Sequence, residues 1–254
     1  MLVSIITPSY NSEKFLVETY QSIITQTYQD WEWLITDDCS TDNSWSLIGE
    51  LAKNDDRIKP QQNSVNTGAP STRNKSIVRA KGEYIAFLDS DDIWLPEKLA
   101  QHLEFMIEQK SVISFTPYYL ISEQSTHLNI LIDAKLTGCF DYQAMLRKKA
   151  TMGCCTVMIK KAAFTDLTMP LVQAGQDYAL WLKLLKTGVS ADIYSVPLSN
   201  YRLVKGSLSN NKINKAKKTW FIYREIEKLN LFQACIAFCH YAASALFKWN
   251  QSKL

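Results

Sequence analysis

The sequence alternates strand-like apolar runs with amphipathic helices, and this alternation constrains the fold more than any other feature. Residues 2–7 (LVSIIT) are almost all apolar and β-branched, as is typical of a strand covered on both faces of a parallel sheet. A helical pattern with one apolar stripe follows, with Ser12 as a candidate cap, and ends near Gln26. Because strands that alternate with helices form right-handed βαβ units, the pattern predicts an α/β fold.

The same alternation continues along the chain. Pro96 suits the first turn of a helix, where its missing N–H is not needed. The predicted strands are 31–36, a short one near Ile58, 84–88, 112–121, 154–159 and segments within 193–201. The predicted helices follow Thr41 and Pro96 and cover 71–79, 178–186, 216–229 and 231–249.

The length and composition limit the classes of protein to which the chain can belong. A chain of 254 residues with 46% hydrophobic residues can build one large domain, alone or with a small appendage. The six cysteines show no CxxC spacing and no secretory hydrophobic segment precedes Leu2, so we expect a reduced, cytoplasmic chain. The three histidines are scattered, which argues against a Cys/His zinc site.

The net charge of +3 hides an asymmetry between the two parts of the chain. Residues 205–254 carry nine Lys/Arg and two Asp/Glu, whereas residues 1–204 have a net charge of −4. The basic tail contains the apolar stretch 231–249, which polar residues interrupt and which only just reaches the length of a membrane span. We expect it to pack on the domain or to contact anionic lipid or a phosphate-bearing substrate, and we expect no nucleic-acid partner.

Polar clusters follow three of the predicted strands. These are PSYN at 8–11, DDCSTD at 37–42 and DSDD at 89–92. Because the carboxyl ends of parallel strands meet at one edge of a sheet, the clusters should share a crevice. Three carboxylates, Asp89, Asp91 and Asp92, fall within four positions there, and their mutual repulsion calls for a cation or hydrogen-bond donors.

The side chains in these clusters suit a nucleotide. Tyr10 offers an aromatic face for a base, and Asp38 can accept an N–H bond from a pyrimidine imide, which favours uridine. In NTGAPSTRN (66–74), Gly68 permits close backbone approach and Arg73 supplies a fixed cation. Hard carboxylate oxygens beside a diphosphate would recruit Mg²⁺ or Mn²⁺. Neither GxGxxG nor a P-loop pattern is present.

Taken in order, PSYN, DDCSTD, NTGAPSTRN, FLDSDD and GQDYALWLKL (175–184) resemble family two inverting glycosyltransferases of the GT-A type, over about residues 1–210. The resemblance implies a GT-A-type domain with a mixed, mostly parallel central sheet flanked by helices, plus a C-terminal helical appendage. It implies a nucleotide-binding half (1–110), an acceptor-binding half (111–210) and a helical tail (211–254). The nucleotide-sugar-binding residues that we expect from it are Pro8, Tyr10, Asp37, Asp38, Gly68, Arg73, Asp89, Ser90 and Arg202.

The resemblance also implies roles in catalysis. Asp91 would ligate the divalent cation, Mn²⁺ or Mg²⁺, and Asp92 would orient its loop or cap the next helix. In the family the second acid of a Glu-Asp pair removes the proton of the acceptor hydroxyl, and here the pair is Gln176-Asp177. Asp177 is therefore the candidate base, although it can also serve as a helix cap. Gln176 departs from the family pattern and removes a neighbouring negative charge.

The resemblance favours transfer of a sugar, most plausibly from a UDP-sugar, to a hydroxyl of a glycan or lipid-linked glycan in cell-surface polysaccharide synthesis. The basic, apolar tail is compatible with peripheral contact at the cytoplasmic face of the inner membrane. A nucleotidyltransferase is the second hypothesis, although PSYNSEKF lacks the glycine-rich basic loop that it requires. A non-catalytic nucleotide-sugar binding module is the third, because of Gln176.

Overall fold

The structure is a computed structural model that describes residues 1–172, 175–204 and 212–251. Its strands are β1 (Val3–Ser9), β2 (Trp31–Asp37), β3 (Ile58–Gln62), β4 (Tyr84–Phe87), β5 (Ile93–Trp94), β6 (Ile113–Phe115), β7 (Tyr118–Ile121), β8 (His127–Ile132), β9 (Cys139–Phe140), β10 (Met158–Lys160), β11 (Ala191–Ile193) and β12 (Ser199–Arg202). Its helices are α1 (Glu13–Ile24), α2 (Ser44–Asn54), α3 (Ala69–Arg79), α4 (Lys98–Glu108), α5 (Tyr142–Leu146), α6 (Gln176–Leu185), α7 (Lys212–Phe221) and α8 (Leu231–Gln251).

The main sheet has the order β3-β2-β1-β4-β10-β6-β11-β9. β1 pairs in parallel with both β2 and β4, and β2 pairs in parallel with β3. The antiparallel strand β10 then separates β4 from β6. The sheet is thus mixed and mostly parallel, as predicted, and the carboxyl ends of β1, β2 and β4 lie side by side at one edge.

A second, smaller sheet has the order β5-β12-β7-β8 and adjoins the loop after β4. The single strand predicted over 112–121 is wrong, because β6 belongs to the main sheet and β7 to the smaller one. Pro117 lies between them, and a proline cannot donate the backbone bond that a continuous ladder would need. The predicted strand 154–159 is likewise replaced by a 3₁₀ turn (Cys154–Thr156) followed by β10.

Helices cover both faces of the main sheet. On one face Leu16, Trp33, Ile48 and Leu99 belong to a core formed by β1, β2, α1, α2 and α4. On the other face the core includes Phe87 of β4 and Trp181 of α6, whose rings meet edge to face with centroids 5.5 Å apart. The fully buried β2 explains why its sequence shows no alternation of apolar and polar residues.

The described part of the tail packs on this second core. A π-helical turn (Ile222–Ile226) joins α7 to the segment before α8, and Tyr223 donates a hydrogen bond to the carbonyl oxygen of Leu146 at 2.6 Å. Buried Glu227 accepts bonds from the hydroxyl of Tyr142 at 2.6 Å and from Nζ of Lys186 at 2.8 Å. None of the described helices, α8 included, has the length and hydropathy needed to cross a bilayer.

Candidate active site

The three carboxylates of the acidic loop after β4 (residues 89–92) have different surroundings. Asp89 forms an ion pair with Arg73 of α3, whose side chain is only 5% exposed. Burial opposes the charge on Arg73, but the neighbouring carboxylates of Asp89 and Asp177 raise its pKa above the usual value. Within the described residues, Nε and Nη1 of Arg73 are buried and have no hydrogen-bond partner. Arg73 therefore neutralises Asp89 and keeps two donors for a further acceptor.

Asp92 faces inward. It is fully buried, and its Oδ1 accepts a 2.9 Å hydrogen bond from the backbone N–H of Arg202. Burial and the charges of Asp91 and Asp89 raise the pKa of Asp92 well above its usual value. The expectation that Asp92 caps the next helix is wrong, since α4 begins at Lys98 after Glu97 and has no side-chain cap bond. Pro96 likewise lies before the helix and not in its first turn.

Among the described residues, Asp91 is the one carboxylate of the acidic loop that has no hydrogen-bonded or ion-paired side chain as a partner. Burial and the charge of Asp89 raise its pKa to about 6, against the opposing effect of Arg202 and Arg73. No other side chain among the described residues donates a hydrogen bond to it. Its negative charge is thus incompletely balanced by the protein, and hard oxygen atoms of this kind are the ligands that Mg²⁺ and Mn²⁺ prefer. The donor set fits a divalent cation.

A cation here would need ligands beyond those that the described residues supply. Among residues 1–172, 175–204 and 212–251, no group of three His, Cys, Asp or Glu side chains is arranged to hold a metal ion. Asp91 can supply one ligand, and Mg²⁺ characteristically completes its coordination with waters and phosphate oxygens. The geometry therefore suits a cation that arrives with a diphosphate.

Arg202 is placed differently from the expectation. Its side chain is fully buried, and its guanidinium donates to the carbonyl oxygen of Asp91 at 2.6 Å, to Oγ of Ser125 at 2.8 Å and to Glu18 at 2.7 Å. A contact with a diphosphate would require these bonds to break. Arg202 is thus an internal anchor of the acidic loop, and the rest of the basic segment, Lys205–Ser209, lies outside the described residues.

The loop after β2 is held by two buried carboxylates. Asp38 accepts bonds from the backbone N–H groups of Thr67 and Gly68, at 2.8 and 2.7 Å, and from the Asn63 amide at 2.7 Å. Burial opposes its ionisation, but these donors lower the pKa of Asp38 below its usual value. Gly68 has φ of +83°, which favours glycine, and it directly precedes α3. Asp38 therefore fixes the entry to the helix that carries Arg73.

The remaining predicted residues lie along the same edge. Asp37 accepts bonds from the backbone N–H of Ser40 at 2.9 Å and from Gln62 at 3.2 Å. Pro8 is half-buried near the end of β1, and Tyr10 beyond it is 49% exposed, so its ring is free to stack on a base. The buried hydroxyls of Ser12 and Ser90 are 2.7 Å apart and join the loop after β1 to the acidic loop.

Asp177 lies in the first turn of α6, directly after Gly175 and Gln176. It acts electrostatically on Arg73, and it raises the pKa of buried Cys154 together with Asp89 and Asp92, although burial is the largest cause. Asp177 of α6 and Asp89 of the acidic loop thus both act electrostatically on Arg73 and on Cys154.

An α/β domain whose parallel strands end in an acidic loop, with a helix-borne carboxylate that acts on the arginine paired to that loop, defines a GT-A-type protein. The model of the family described as "Glycosyl transferase family 2" matches residues 4–167. The chain belongs to this family and is a glycosyltransferase.

Sequence relatives support the same assignment. The Bacillus subtilis glycosyltransferase TuaG, named for teichuronic acid biosynthesis, is 43% identical over 247 residues, which cover 97% of each chain. WfgD of Escherichia coli is named as a UDP-Glc:α-D-GlcNAc-diphosphoundecaprenol β-1,3-glucosyltransferase. It is 36% identical over 220 residues, which cover 86% of this chain and 84% of WfgD.

Solved structures support the fold. The Staphylococcus aureus protein TarS, crystallised with UDP-GlcNAc, superposes with a TM-score of 0.73 at 23% identity, covering 92% of this chain and 69% of TarS. The mannosyltransferase PcManGT of Pyrobaculum calidifontis, crystallised with GDP-Man and Mn²⁺, gives a TM-score of 0.68 at 16% identity, over 96% of this chain and 75% of PcManGT.

Proposed function

We propose that this glycosyltransferase moves a sugar from a UDP-sugar to a hydroxyl of a lipid-linked glycan, with inversion, in the synthesis of a bacterial surface polysaccharide. The observation that carries the proposal is the carboxylate of Asp91, which no side chain among the described residues hydrogen-bonds, beside the Arg73–Asp89 pair. Asp177 acts electrostatically on the arginine of that pair. One group suits a cation that would stabilise the leaving diphosphate, and a second suits removal of the proton from the acceptor hydroxyl.

The donor would lie along the edge formed by β1, β2 and β4. In the proposal Tyr10 stacks on the uracil, and Pro8 and Asp37 support the loops on either side of it. Asp38 would face the imide N–H of the base while it holds the entry of α3 at Gly68. The other members of the donor site would be Arg73, Asp89 and Ser90, with the unpaired donors of Arg73 available to an oxygen of the nucleotide sugar.

Asp91 would hold Mn²⁺ or Mg²⁺ together with the two phosphates of the donor. When bound, the cation supplies Lewis-acid stabilisation of the negative charge that develops on the leaving diphosphate. Asp89 does not compete for this role, because Arg73 neutralises it. Arg202 holds the carbonyl of Asp91 in place and so orients the carboxylate. PcManGT, which shares the fold, was crystallised with Mn²⁺ and a nucleotide sugar.

Asp177 would take the proton of the acceptor hydroxyl while the oxygen of that hydroxyl attacks the anomeric carbon. The bond from that carbon to the diphosphate breaks at the same time, and the nucleoside diphosphate leaves with the electron pair. Attack on the side opposite the departing group inverts the anomeric configuration. Gln176 contributes no charge beside Asp177, and Oε1 of Gln176 is buried without a hydrogen-bond partner among the described residues.

The names of the relatives support the proposed acceptor class. WfgD and the related WfaP are both named for glucose transfer from UDP-Glc to α-D-GlcNAc-diphosphoundecaprenol. TuaG, which has the higher identity to this chain, is named for the synthesis of a surface polymer. A lipid-linked acceptor would place the enzyme at the cytoplasmic face of the membrane as a peripheral protein.

The test is a donor and acceptor screen with the purified full chain. UDP, GDP and CDP sugars would be screened with Mn²⁺ by thermal shift, since a ligand that binds the native state raises its melting temperature. Radiolabelled UDP-sugars that bind would then be incubated with a synthetic GlcNAc-diphospho-lipid. We expect UDP-selective stabilisation and a β-linked product by NMR. Pyrophosphate release from a nucleoside triphosphate in the presence of a sugar phosphate would instead favour the nucleotidyltransferase. Binding of a nucleotide sugar without transfer to any glycan would favour the binding module.

A further inference from the structure

Among the described residues of the tail, the exposed large apolar side chains lie on α8 and at the end of α7. On α8, Leu231 is 62% exposed, Phe232 is 75% exposed and Ile236 is 42% exposed, and Phe221 at the end of α7 is 48% exposed. Cys235 and Cys239 are exposed on α8 as well. We call Leu231, Phe232, Cys235, Ile236 and Cys239 the α8 face. Residues 231–247 contain no Asp, Glu, Lys or Arg, which is unusual for a helix that faces water.

The opposite side of α8 is fixed to the protein. Ala234 and Ala237 are buried in the core of the domain. The ring of Phe238 packs edge to face on Trp220 and against Tyr241, with centroids 5.5 Å apart in each case. The helix is therefore held with the α8 face outward, and its exposure is a property of the folded chain.

Charge decides between the possible occupants of this face. Residues 205–254 have a net charge of +7. Lys217, which is exposed, precedes Phe221 by one turn of α7, and exposed Lys228 lies three residues before α8. Association of two copies through this region would bring two basic segments together, whereas a bilayer with anionic head groups attracts them.

We propose that the α8 face docks on the surface of a bilayer that contains anionic lipid. The helix lies along the interface with Leu231, Phe232 and Ile236 in the head-group region, and the lysines contact the anionic head groups. Docking would hold the active site at the surface where a lipid-linked acceptor is available. The role given to docking, which is access to a lipid-linked acceptor, rests on the proposed function. The binding of the α8 face to an anionic bilayer does not.

The experiment measures binding of the full chain to vesicles by flotation. Vesicles of phosphatidylglycerol with phosphatidylethanolamine are compared with vesicles of phosphatidylcholine. The triple variant Leu231→Ser, Phe232→Ser and Ile236→Ser removes three exposed side chains and should keep the fold, as judged by circular dichroism and melting temperature. We expect its partition coefficient on anionic vesicles to fall by at least about tenfold.

The matched control removes three exposed apolar side chains elsewhere, on α1, α3 and α4. Val17→Ser, Val78→Ser and Ile107→Ser should leave vesicle binding within about twofold of the original chain. The charge variant Lys217→Glu with Lys228→Glu should weaken binding to anionic vesicles and leave the weak binding to phosphatidylcholine unchanged.

Two results would overturn the inference. One is equal binding to anionic vesicles by the α8 triple variant and by the control variant that carries Val17→Ser, Val78→Ser and Ile107→Ser. The other is a dimer in sedimentation velocity that the α8 variant dissociates while neither form binds vesicles, which would make the face an interface between copies. Transfer to a water-soluble short-chain acceptor is measured in parallel. Vesicle binding without any transfer would contradict the proposed function and leave the docking surface in place.

Discussion

Acidification should weaken the contribution of a divalent cation to nucleotide-sugar binding, because Asp91 can ligate a cation only when it is ionised. Burial and the charge of Asp89 raise the pKa of Asp91 to about 6. The folded protein without a cation therefore protonates this carboxylate as the pH falls through that value, well above the range of an exposed aspartate. The effect belongs to the window between about pH 5 and about pH 7.

The magnitude follows from the ionised fraction. With a pKa of about 6, Asp91 is about nine-tenths ionised at pH 7 and about one-tenth ionised at pH 5. If only the ionised form binds the cation, the apparent affinity for Mn²⁺ falls by about tenfold across this window, which corresponds to about 1.4 kcal/mol.

The assay is titration calorimetry of UDP-glucose binding, with Mn²⁺ and with EDTA, at about pH 5, 6 and 7. UDP-glucose is preferable to UDP, because its diphosphate is esterified at both ends and does not titrate in this range. Asp91→Asn is the matched control and should show weak binding with no dependence on Mn²⁺ at any of these pH values. The reasoning fails if the Mn²⁺ contribution is the same at about pH 5 and pH 7, or if the control shows the same dependence.

Two further predictions concern the scaffold. Gly82→Ala should lower the free energy of unfolding, measured in urea, by more than about 3 kcal/mol, since an added Cβ would lie 2.7 Å from the carbonyl oxygen of Leu2. Gly49 of α2 has open space around it, so Gly49→Ala should instead raise that free energy by about 0.5–1 kcal/mol. Similar values for the two variants would refute the steric argument. Glu18→Gln should lower the free energy of unfolding by about 1 kcal/mol and weaken UDP-glucose binding with Mn²⁺, because it removes the carboxylate paired with buried Arg202. If both values are unchanged, the position of Arg202 does not depend on Glu18.

The parts of the fold that could be predicted are those with a strong local signal. β1, β2 and β4 are short apolar runs buried on both faces, and their carboxyl ends carry the polar clusters that the sequence places after them. The mixed GT-A-type sheet was confirmed for this reason. The convergence of the three loops followed from topology, since neighbouring parallel strands end at one edge.

The smaller sheet could not be predicted as a unit. Its strands β7 and β12 overlap the predicted strand segments 112–121 and 193–201, but β8 carries no local strand pattern. β8 is half-exposed or exposed along its whole length and shows no clean alternation, so it pairs with β7 only in the tertiary context. The environment of Arg202 depends on the same context. Its partners Glu18 and Ser125 are far away in the sequence and meet only where α1 approaches the turn between β7 and β8. No spacing rule links such residues.

Some roles of individual site residues could be predicted from the sequence, whereas others could be assigned only from the structure. The cation role of Asp91 was expected from the family resemblance and remains a proposal. The pairing of Asp89 with Arg73 and the inward position of Asp92 required coordinates. The motif alone indicates only that like charges are crowded and need compensation.

The account depends most directly on Asp177 as the group that takes the proton of the acceptor, and Asp177→Asn tests it. The variant keeps the size of the side chain but cannot act as a base. Sugar transfer should fall by about a hundredfold to ten-thousandfold, while the affinity for UDP with Mn²⁺ stays within about twofold. Transfer by Asp177→Asn at a rate close to that of the original chain would contradict the account.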